Sequence, residues 1–300
     1  MKQIVAPIKT DLHCHTMCSD GALAPEELVE YAAEPRRAVR VLAVTDHDNM
    51  NGVARAEKRG GELDVRVVPG IEISTTWQFG SCRFQIHVVG LRCDRNDPVL
   101  GEIIRYHGEI REQQCERIAK RLTELLDFDA ELLYAKIAEL EKRGTFVTRK
   151  HFSDFLVEQK LVSCNDEAFS RYLGKNGSAF FDVDFSSVEE AVAAIHHSGG
   201  LAVLAHPFRY ENMHNRALRN LAAFFHDCGG DGIEAGSPQQ KLNEKLFIRD
   251  LALKHGFFGS VGSDFHCKYV PFRTLGGDLW LPEKVKPIWE HELLLPYYKT

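Results

Sequence analysis

Residues 40–48 read RVLAVTDHD, a short apolar run that stops abruptly at two carboxylates and an imidazole. An apolar run of about four to eight residues, bounded by turn residues, is typical of a buried parallel strand. Helix-like stretches separate such runs, for example PEELVEYAA at 25–33 and VEEAVAAIH at 188–196 after the capping pair Ser186-Ser187. This alternation predicts an α/β barrel or open sheet. Four further runs end in the same way: 65–68 leads to Glu72, 84–86 to His87, 201–205 to His206, and 257–261 to Asp264 and His266.

Ligands collect at the carboxyl ends of the strands in parallel barrels and sheets, which is where we expect these side chains to lie. Residues 97–184 depart from this alternation of strands and helices, because their apolar residues recur at helical spacing only. The sequence therefore predicts a barrel in two parts, 1–96 and 185–300, interrupted by a mostly helical insert subdomain at 97–184. The end of the second part is expected to be a tail packed on the barrel.

The composition narrows the class of protein. The chain has 300 residues, of which 44% are hydrophobic and 27% charged, and these proportions favour a folded globular protein. No apolar stretch approaches the roughly 18 residues of a membrane span, and the N-terminus lacks signal-peptide features. We expect a cytoplasmic protein with no membrane partner. The net charge of -6 gives no overall attraction for nucleic acid, so an anionic ligand must be held by local charge.

A set of imidazoles and carboxylates forms the candidate metal site. His13 and His15 are separated by one residue, so on a strand both imidazoles point to the same face. Asp46 neighbours His47 and is as well placed to orient a ligand as to bind metal. Mixed nitrogen and oxygen ligation without thiolate suits Mn, Zn or Fe, and the number of groups indicates two or three ions. The candidate ligands are His13, His15, Asp20, His47, Glu72, His87, His206, Asp264 and His266.

The ordered motifs DLHCHT, SDG, TDHD, PGIEIS, QIHVVG, LAHP and GSDFH resemble those of the polymerase and histidinol phosphatase (PHP) family. The strings VTRKHF, IHHSGGLAVLAHPFRY and WLP are similar to one subgroup, the bacterial nucleoside 3',5'-bisphosphate phosphatases and the 5'-to-3' exoribonuclease RNase AM. The resemblance implies a distorted (β/α)7 barrel that holds three divalent ions, most commonly Mn²⁺, with Zn²⁺ or Fe²⁺ as alternatives.

The resemblance also implies a role for each candidate residue. Asp46, His47 and Asp264 are expected at the catalytic centre, where a hydroxide between two ions would attack phosphorus in line. The first ion is expected to be held by His13, His15, Glu72 and Asp264, the second by Glu72, His87 and His206, and the third by Asp20, His47 and His266.

Additional cations are expected to bind a second phosphate of the substrate. Arg149 lies at a predicted helix start, where backbone amides also favour anions, and Arg209 and Lys175 are further candidates. The function implied is phosphoester hydrolysis on a small phosphorylated nucleotide or a short RNA, with no obligate protein partner. Two alternatives remain open at this point, a histidinol-phosphate phosphatase and a noncatalytic PHP module.

Overall fold

A seven-stranded, mostly parallel sheet forms the centre of the molecule. The computed structural model describes residues 2–269 and 273–299. The strands follow one another in the order β2 to β8, and all neighbours are parallel except that β5 is antiparallel to both β4 and β6. The strand bounds are β1 Gln3–Ile4, β2 Thr10–Asp11, β3 Val41–Val44, β4 Arg66–Phe79, β5 Cys82–Leu91, β6 Leu201–Leu204, β7 Gly232–Gly236, β8 Phe258–Val261 and β9 Leu281–Pro282.

The sheet closes on itself through the segments that follow its two edge strands. The Leu12 N–H donates to the Val261 carbonyl oxygen at 3.1 Å, and the His15 N–H donates to the Phe265 carbonyl oxygen at 2.9 Å. Because β2 and β8, the two edge strands of this sheet, are thereby joined, the α/β barrel-like fold expected from the sequence is confirmed. Outside the barrel, β1 pairs with β9 in a separate two-stranded sheet.

Helices surround the barrel and build the region between β5 and β6. The helices predicted at 25–33 and 188–196 are confirmed. Ser187 and Glu190 form a capping box at the start of the second of these helices. The helix bounds are α1 Pro25–Ala33, α2 Val53–Leu63, α3 Pro98–Leu125, α4 Ala130–Lys142, α5 Arg149–Glu158, α6 Asn165–Ala168, α7 Val188–His197, α8 Asn215–Asp227 and α9 Leu242–His255.

Two expectations about the strands are wrong. β4 continues through Pro69-Gly70 as far as Phe79, and β5 runs antiparallel to it. Glu72 and His87 therefore lie inside long strands, not at the carboxyl ends of short parallel ones. The cause is a hairpin: β4 and β5 are joined by residues 80–81, and such a tight connection can only link antiparallel strands.

The apolar side chains fall into two clusters. The larger cluster fills the barrel and the space under its helices, and the smaller one lies among the helices between β5 and β6. Helix α3 contributes to both, since Leu100 packs in the larger cluster whereas Ile118 and Leu122 pack in the smaller one. This arrangement agrees with an insert at 97–184, although the domain boundaries stay a prediction. Within the described residues, no helix combines the length and apolar character needed to cross a membrane.

Candidate metal centre

The two histidines of the first motif are positioned by barrel closure. The segment after β2 stays extended, so His13 and His15 share a face while Cys14 between them is fully buried in the apolar core. The Asp264 N–H donates to the His13 carbonyl oxygen at 2.9 Å, which brings the two ligand segments into register. Gly262 permits this close approach, because a Cβ atom there would lie 2.4 Å from the Cβ of His13.

Glu72 is held at the centre of the site by the segment that follows β3. Its N–H donates to the Asp46 carbonyl oxygen at 3.1 Å, and its carbonyl oxygen accepts from the Asp48 N–H at 2.9 Å. His47 lies between these two residues, and its Nδ1 is 3.0 Å from the Glu72 carboxylate. The segment after β3 thus continues to pair with β4, and this pairing places His47 beside Glu72.

The structure brings eight of the nine candidate ligands into three overlapping groups, and the ninth, His206, lies beside Glu72 and His87. His87 Nδ1 and His206 Nε2 lie 3.3 Å apart, and they are 3.0 Å and 2.8 Å from Glu72 Oε1, respectively. His15 and His47 each belong to two groups, which the resemblance did not specify. Three groups have ligand atoms that all lie within 4.8 Å of one another: His13, His15, Glu72 and Asp264; His15, Asp20, His47 and His266; and His47, Glu72 and His87.

The donor set fits divalent cations. His13 Nδ1 lies 2.7 Å from Glu234 Oε1 and donates to it, so Nε2 is the ring nitrogen that faces the site. This Nε2 is 3.1 Å from His15 Nε2, 3.4 Å from Glu72 Oε2 and 3.5 Å from Asp264 Oδ1. Such a convergence of nitrogen and oxygen atoms is stabilised by positive charge, which a metal ion or a proton on an imidazole supplies. Glu72 Oε2 and Asp20 Oδ1 are buried and make no hydrogen bond with any described residue, as expected of atoms that bind a metal ion.

The ionisation of the site follows from its burial and its crowded charges. Burial alone would lower the pKa of His13, but the nearby Glu234 and Glu72 carboxylates outweigh it and raise that pKa to about 10. Burial opposes the charged form of Glu72, yet the imidazoles around it hold its pKa well below its usual range. Burial lowers the pKa of His206 to about 3 and that of His266 to about 4, so both are neutral at pH 7. Neutral imidazoles and ionised carboxylates are the forms that bind metal.

Three residues with a strained backbone lie at the same place. Asp48, His206 and Asp264 have φ angles of 54°, 25° and 52°, in the left-handed region that residues with a Cβ atom rarely adopt. A strained conformation persists only where the surrounding structure imposes it, and such residues cluster at functional sites.

Asp46 does not join the three groups of ligand atoms. Its carboxylate accepts hydrogen bonds from the Thr16 N–H at 2.7 Å, from Thr16 Oγ1 at 2.6 Å and from Ser19 Oγ at 2.6 Å. Asp46 thereby organises the loop that carries Asp20. These contacts favour the orienting role, one of the two expected for Asp46, and its function stays a prediction.

Glu234 is a site residue that the sequence reasoning missed. It lies in β7, it is 2% exposed, and its second carboxylate oxygen accepts from the His206 N–H at 2.6 Å. It therefore contacts two candidate ligands from different strands. The signal in the sequence was weak, a single acidic residue in the apolar stretch GIEAG at 232–236.

The three predicted phosphate-binding cations are brought to one cavity with different partners. Arg149 donates to the Leu173 carbonyl oxygen and to Gln85 Oε1, both at 3.3 Å. Arg209 contacts the carboxylate of Asp264, and Lys175 is exposed at the cavity wall. The cavity has a volume of about 280 Å³. Its lining includes His47, Glu72, Gln85, His87, Arg149, Lys175, Phe180, His206, Arg209, Asp264 and His266.

Comparisons with known proteins agree with this geometry. Residues 11–136 match the PHP domain. The chain is 40% identical over 283 residues to the 5'-3' exoribonuclease Rnm of Escherichia coli (strain K12), covering 93% of this chain and 92% of the relative. It is 33% identical over 286 residues to a 3',5'-nucleoside bisphosphate phosphatase of Chromobacterium violaceum, covering 93% and 94%.

A solved structure also matches this chain over nearly its whole length. It is described as an amidohydrolase from Chromobacterium violaceum with bound sulfate and no metal, and it matches with a TM-score of 0.81 at 31% identity, over 94% of each chain. The resemblance drawn from the motifs is therefore confirmed, and the chain belongs to the PHP family.

Proposed function

We propose that this protein is a metal-dependent phosphoesterase that hydrolyses nucleotide phosphoesters. Its substrate would be the 3'-phosphate of nucleoside 3',5'-bisphosphates, the 5' end of short RNA, or both. The observation that carries the proposal is the convergence of nine imidazole and carboxylate side chains at one site, where six of them line a single cavity. The names of the two relatives support nucleotides and RNA as the substrate class.

The described residues would each contribute a distinct part of the reaction. Bound divalent ions would neutralise phosphoryl oxygens and make water more acidic. The three groups of ligand atoms would hold these ions, and Glu234 would keep the Nε2 of His13 turned toward the site. Manganese as the ion, three as the number of ions and the cytoplasm as the location stay predictions.

Arg149 supports a second phosphate site. Among the described residues no carboxylate lies within ion-pair distance of its guanidinium. Burial and the charge of Arg111 lower its pKa, and the more distant carboxylates of Glu211 and Asp182 oppose this shift only in part. Arg149 is a half-buried cation without a carboxylate in direct contact, and a phosphate would supply that contact through charge-assisted hydrogen bonds. Helix α5 begins at Arg149, so its free N–H groups would favour the same anion.

The two alternatives are not favoured. Neither relative is named for histidinol phosphate, and a noncatalytic module would not need to keep ligand-type side chains grouped beside a cavity. A single assay separates all of these functions. Purified protein is given a nucleoside 3',5'-bisphosphate, a 5'-phosphorylated RNA hexamer or histidinol phosphate, with Mn²⁺ or with EDTA, and the release of phosphate and mononucleotide is measured.

The matched variants are His206→Ala at the site and His226→Ala on the exposed end of α8. We expect Mn²⁺-dependent turnover of the nucleotide substrates, with a loss of at least about 100-fold in His206→Ala, since even outer-shell changes cost 10- to 100-fold. His226→Ala should match the wild type. Equal rates with Mn²⁺ and EDTA, or equal rates for the two variants, would contradict the proposal.

A further inference from the structure

The carboxylate of Asp48 lies where the TDHD segment meets β4. It is 1% exposed, and it accepts hydrogen bonds from the Ser74 N–H at 2.7 Å and from Ser74 Oγ at 2.9 Å. Asp48 directly follows His47, and Ser74 lies two residues beyond Glu72 on the same strand. The carboxylate therefore ties together the two backbone segments that carry these candidate ligands.

The positive charge that faces Asp48 comes from the insert. His107 Nδ1 lies 2.8 Å from Asp48 Oδ1, and Arg111 Nε donates to Asp48 Oδ2 at 2.8 Å. The Arg111 Nη2 contacts the same oxygen and also donates to Ser74 Oγ at 3.0 Å. Both side chains belong to α3 and are four residues apart, so they project from one face of the helix. In the described part of the chain, the barrel itself supplies only the two Ser74 donors.

The imidazole of His107 is fixed from its other side as well. It is fully buried, and its Nε2 accepts from the Ser186 N–H at 3.1 Å and lies 2.8 Å from Ser186 Oγ, while its Nδ1 faces Asp48. The Ser186 carbonyl oxygen in turn accepts from the Thr76 N–H on β4 at 3.0 Å. Both ring nitrogens of His107 therefore have a hydrogen-bond partner, one in the TDHD segment and one in the segment before α7.

The strained backbone explains why such a contact is needed. Asp48 has a φ of 54°, and in that conformation its N–H reaches the Glu72 carbonyl oxygen at 2.9 Å. A left-handed conformation is strained for a residue with a Cβ atom, so contacts elsewhere must stabilise it. The ion pair with Arg111 and the hydrogen bond with His107 add to the two hydrogen bonds from Ser74 in holding Asp48 in this conformation.

We propose that Asp48, His107 and Arg111 form a clamp through which helix α3 of the insert positions His47 and Glu72. The three residues are positioning residues, because none belongs to the groups of ligand atoms. The consequence for metal affinity rests on the proposed function, whereas the consequence for the backbone of 46–48 and 72–74 does not. Removal of the clamp should therefore loosen these two segments first and weaken metal binding as a result.

The test compares Arg111→Met, Arg111→Lys and Tyr106→Phe with the wild type. Tyr106 is the matched control, because it also lies on α3 and joins it to the Asp184 carbonyl oxygen at 3.1 Å, away from Asp48. Two readouts are used: Mn²⁺ binding by titration calorimetry, and hydrogen–deuterium exchange of the metal-free protein in peptides that cover 46–48 and 72–74. Circular dichroism checks that each variant is folded.

For Arg111→Met we expect faster exchange in both peptides and a Kd for Mn²⁺ raised by about 10- to 100-fold, as for other groups that orient metal ligands. Arg111→Lys keeps the charge but not the fork that reaches both Asp48 and Ser74, so it should fall between wild type and Arg111→Met. If Arg111→Met does not fold, Arg111→Lys decides by the same two readouts.

Wild-type exchange and wild-type Mn²⁺ affinity in the folded Arg111 variant would overturn the clamp. An equal effect in Tyr106→Phe would also overturn it, since any loosening of α3 would then suffice. If wild type binds no divalent ion but Arg111→Met still exchanges faster at 46–48 and 72–74, the clamp stands and the proposed function fails.

Discussion

Replacement of Glu234 by glutamine removes a buried charge at almost constant size. The carboxylate accepts from His13 Nδ1 at 2.7 Å and from the His206 N–H at 2.6 Å, whereas an amide offers one oxygen and one NH₂ group. If the oxygen faces His13, the His206 N–H meets another donor. If the oxygen faces His206, His13 must move its proton to Nε2, the nitrogen that would bind metal.

Both arrangements lower the stability of the protein or its affinity for metal, and the size of each loss can be estimated. A buried N–H without an acceptor costs about 1–3 kcal/mol. Loss of the carboxylate partner of a ligating histidine weakens metal binding by about 10- to 100-fold, or ~1.4–2.7 kcal/mol. We therefore expect Glu234→Gln to bind Mn²⁺ about 10- to 100-fold more weakly than wild type and to unfold at a lower temperature without metal.

Calorimetric titration with Mn²⁺ at pH 7 and pH 9 measures the effect, with Glu189→Gln on the exposed side of α7 as the charge-matched control. Because the pKa of His13 is raised to about 10, a proton competes with the metal below that pH, and the wild-type affinity should rise from pH 7 to pH 9. The rise should be smaller in Glu234→Gln, which lacks one of the carboxylates that raise this pKa. An affinity within twofold of wild type at both pH values would refute the reasoning.

Three further outcomes are expected. Arg149→Gln should raise the KM for a nucleoside 3',5'-bisphosphate more than for a 3'-monophosphate in steady-state assays, and equal increases would argue against a second phosphate site there. Tyr210→Phe removes a hydroxyl that donates to the Ala205 carbonyl oxygen at 2.6 Å, so urea unfolding should show a loss of about 1 kcal/mol, and an unchanged midpoint would rule out that contribution. In the metal-free protein, the pKa values of Asp20 and Glu72 are lowered, so these carboxylates stabilise the fold above about pH 4. This stability should be lost as the pH falls further, and acid unfolding followed by circular dichroism measures the loss. A protein that became more stable below pH 4 would contradict this prediction.

Local sequence patterns were sufficient for much of the fold. The stretch 25–33 was predicted as a helix and is α1, and the run at 201–205 was predicted as a strand and contains β6. The spacing of His13 and His15 predicted two imidazoles on one face, and their Nε2 atoms lie 3.1 Å apart. Periodicity and capping act over a few residues of one segment, so a single sequence reveals them.

The direction of β5 and the partners of the site depended on contacts that no local pattern encodes. Glu234 is 221 residues from His13 in sequence, and Asp48 is 63 residues from Arg111. The sequence by itself determined which chemical groups are available and on which segments they lie. Only the tertiary structure decided which of them meet, because barrel closure and the docking of α3 bring distant residues into hydrogen-bonding distance and exclude water from between them.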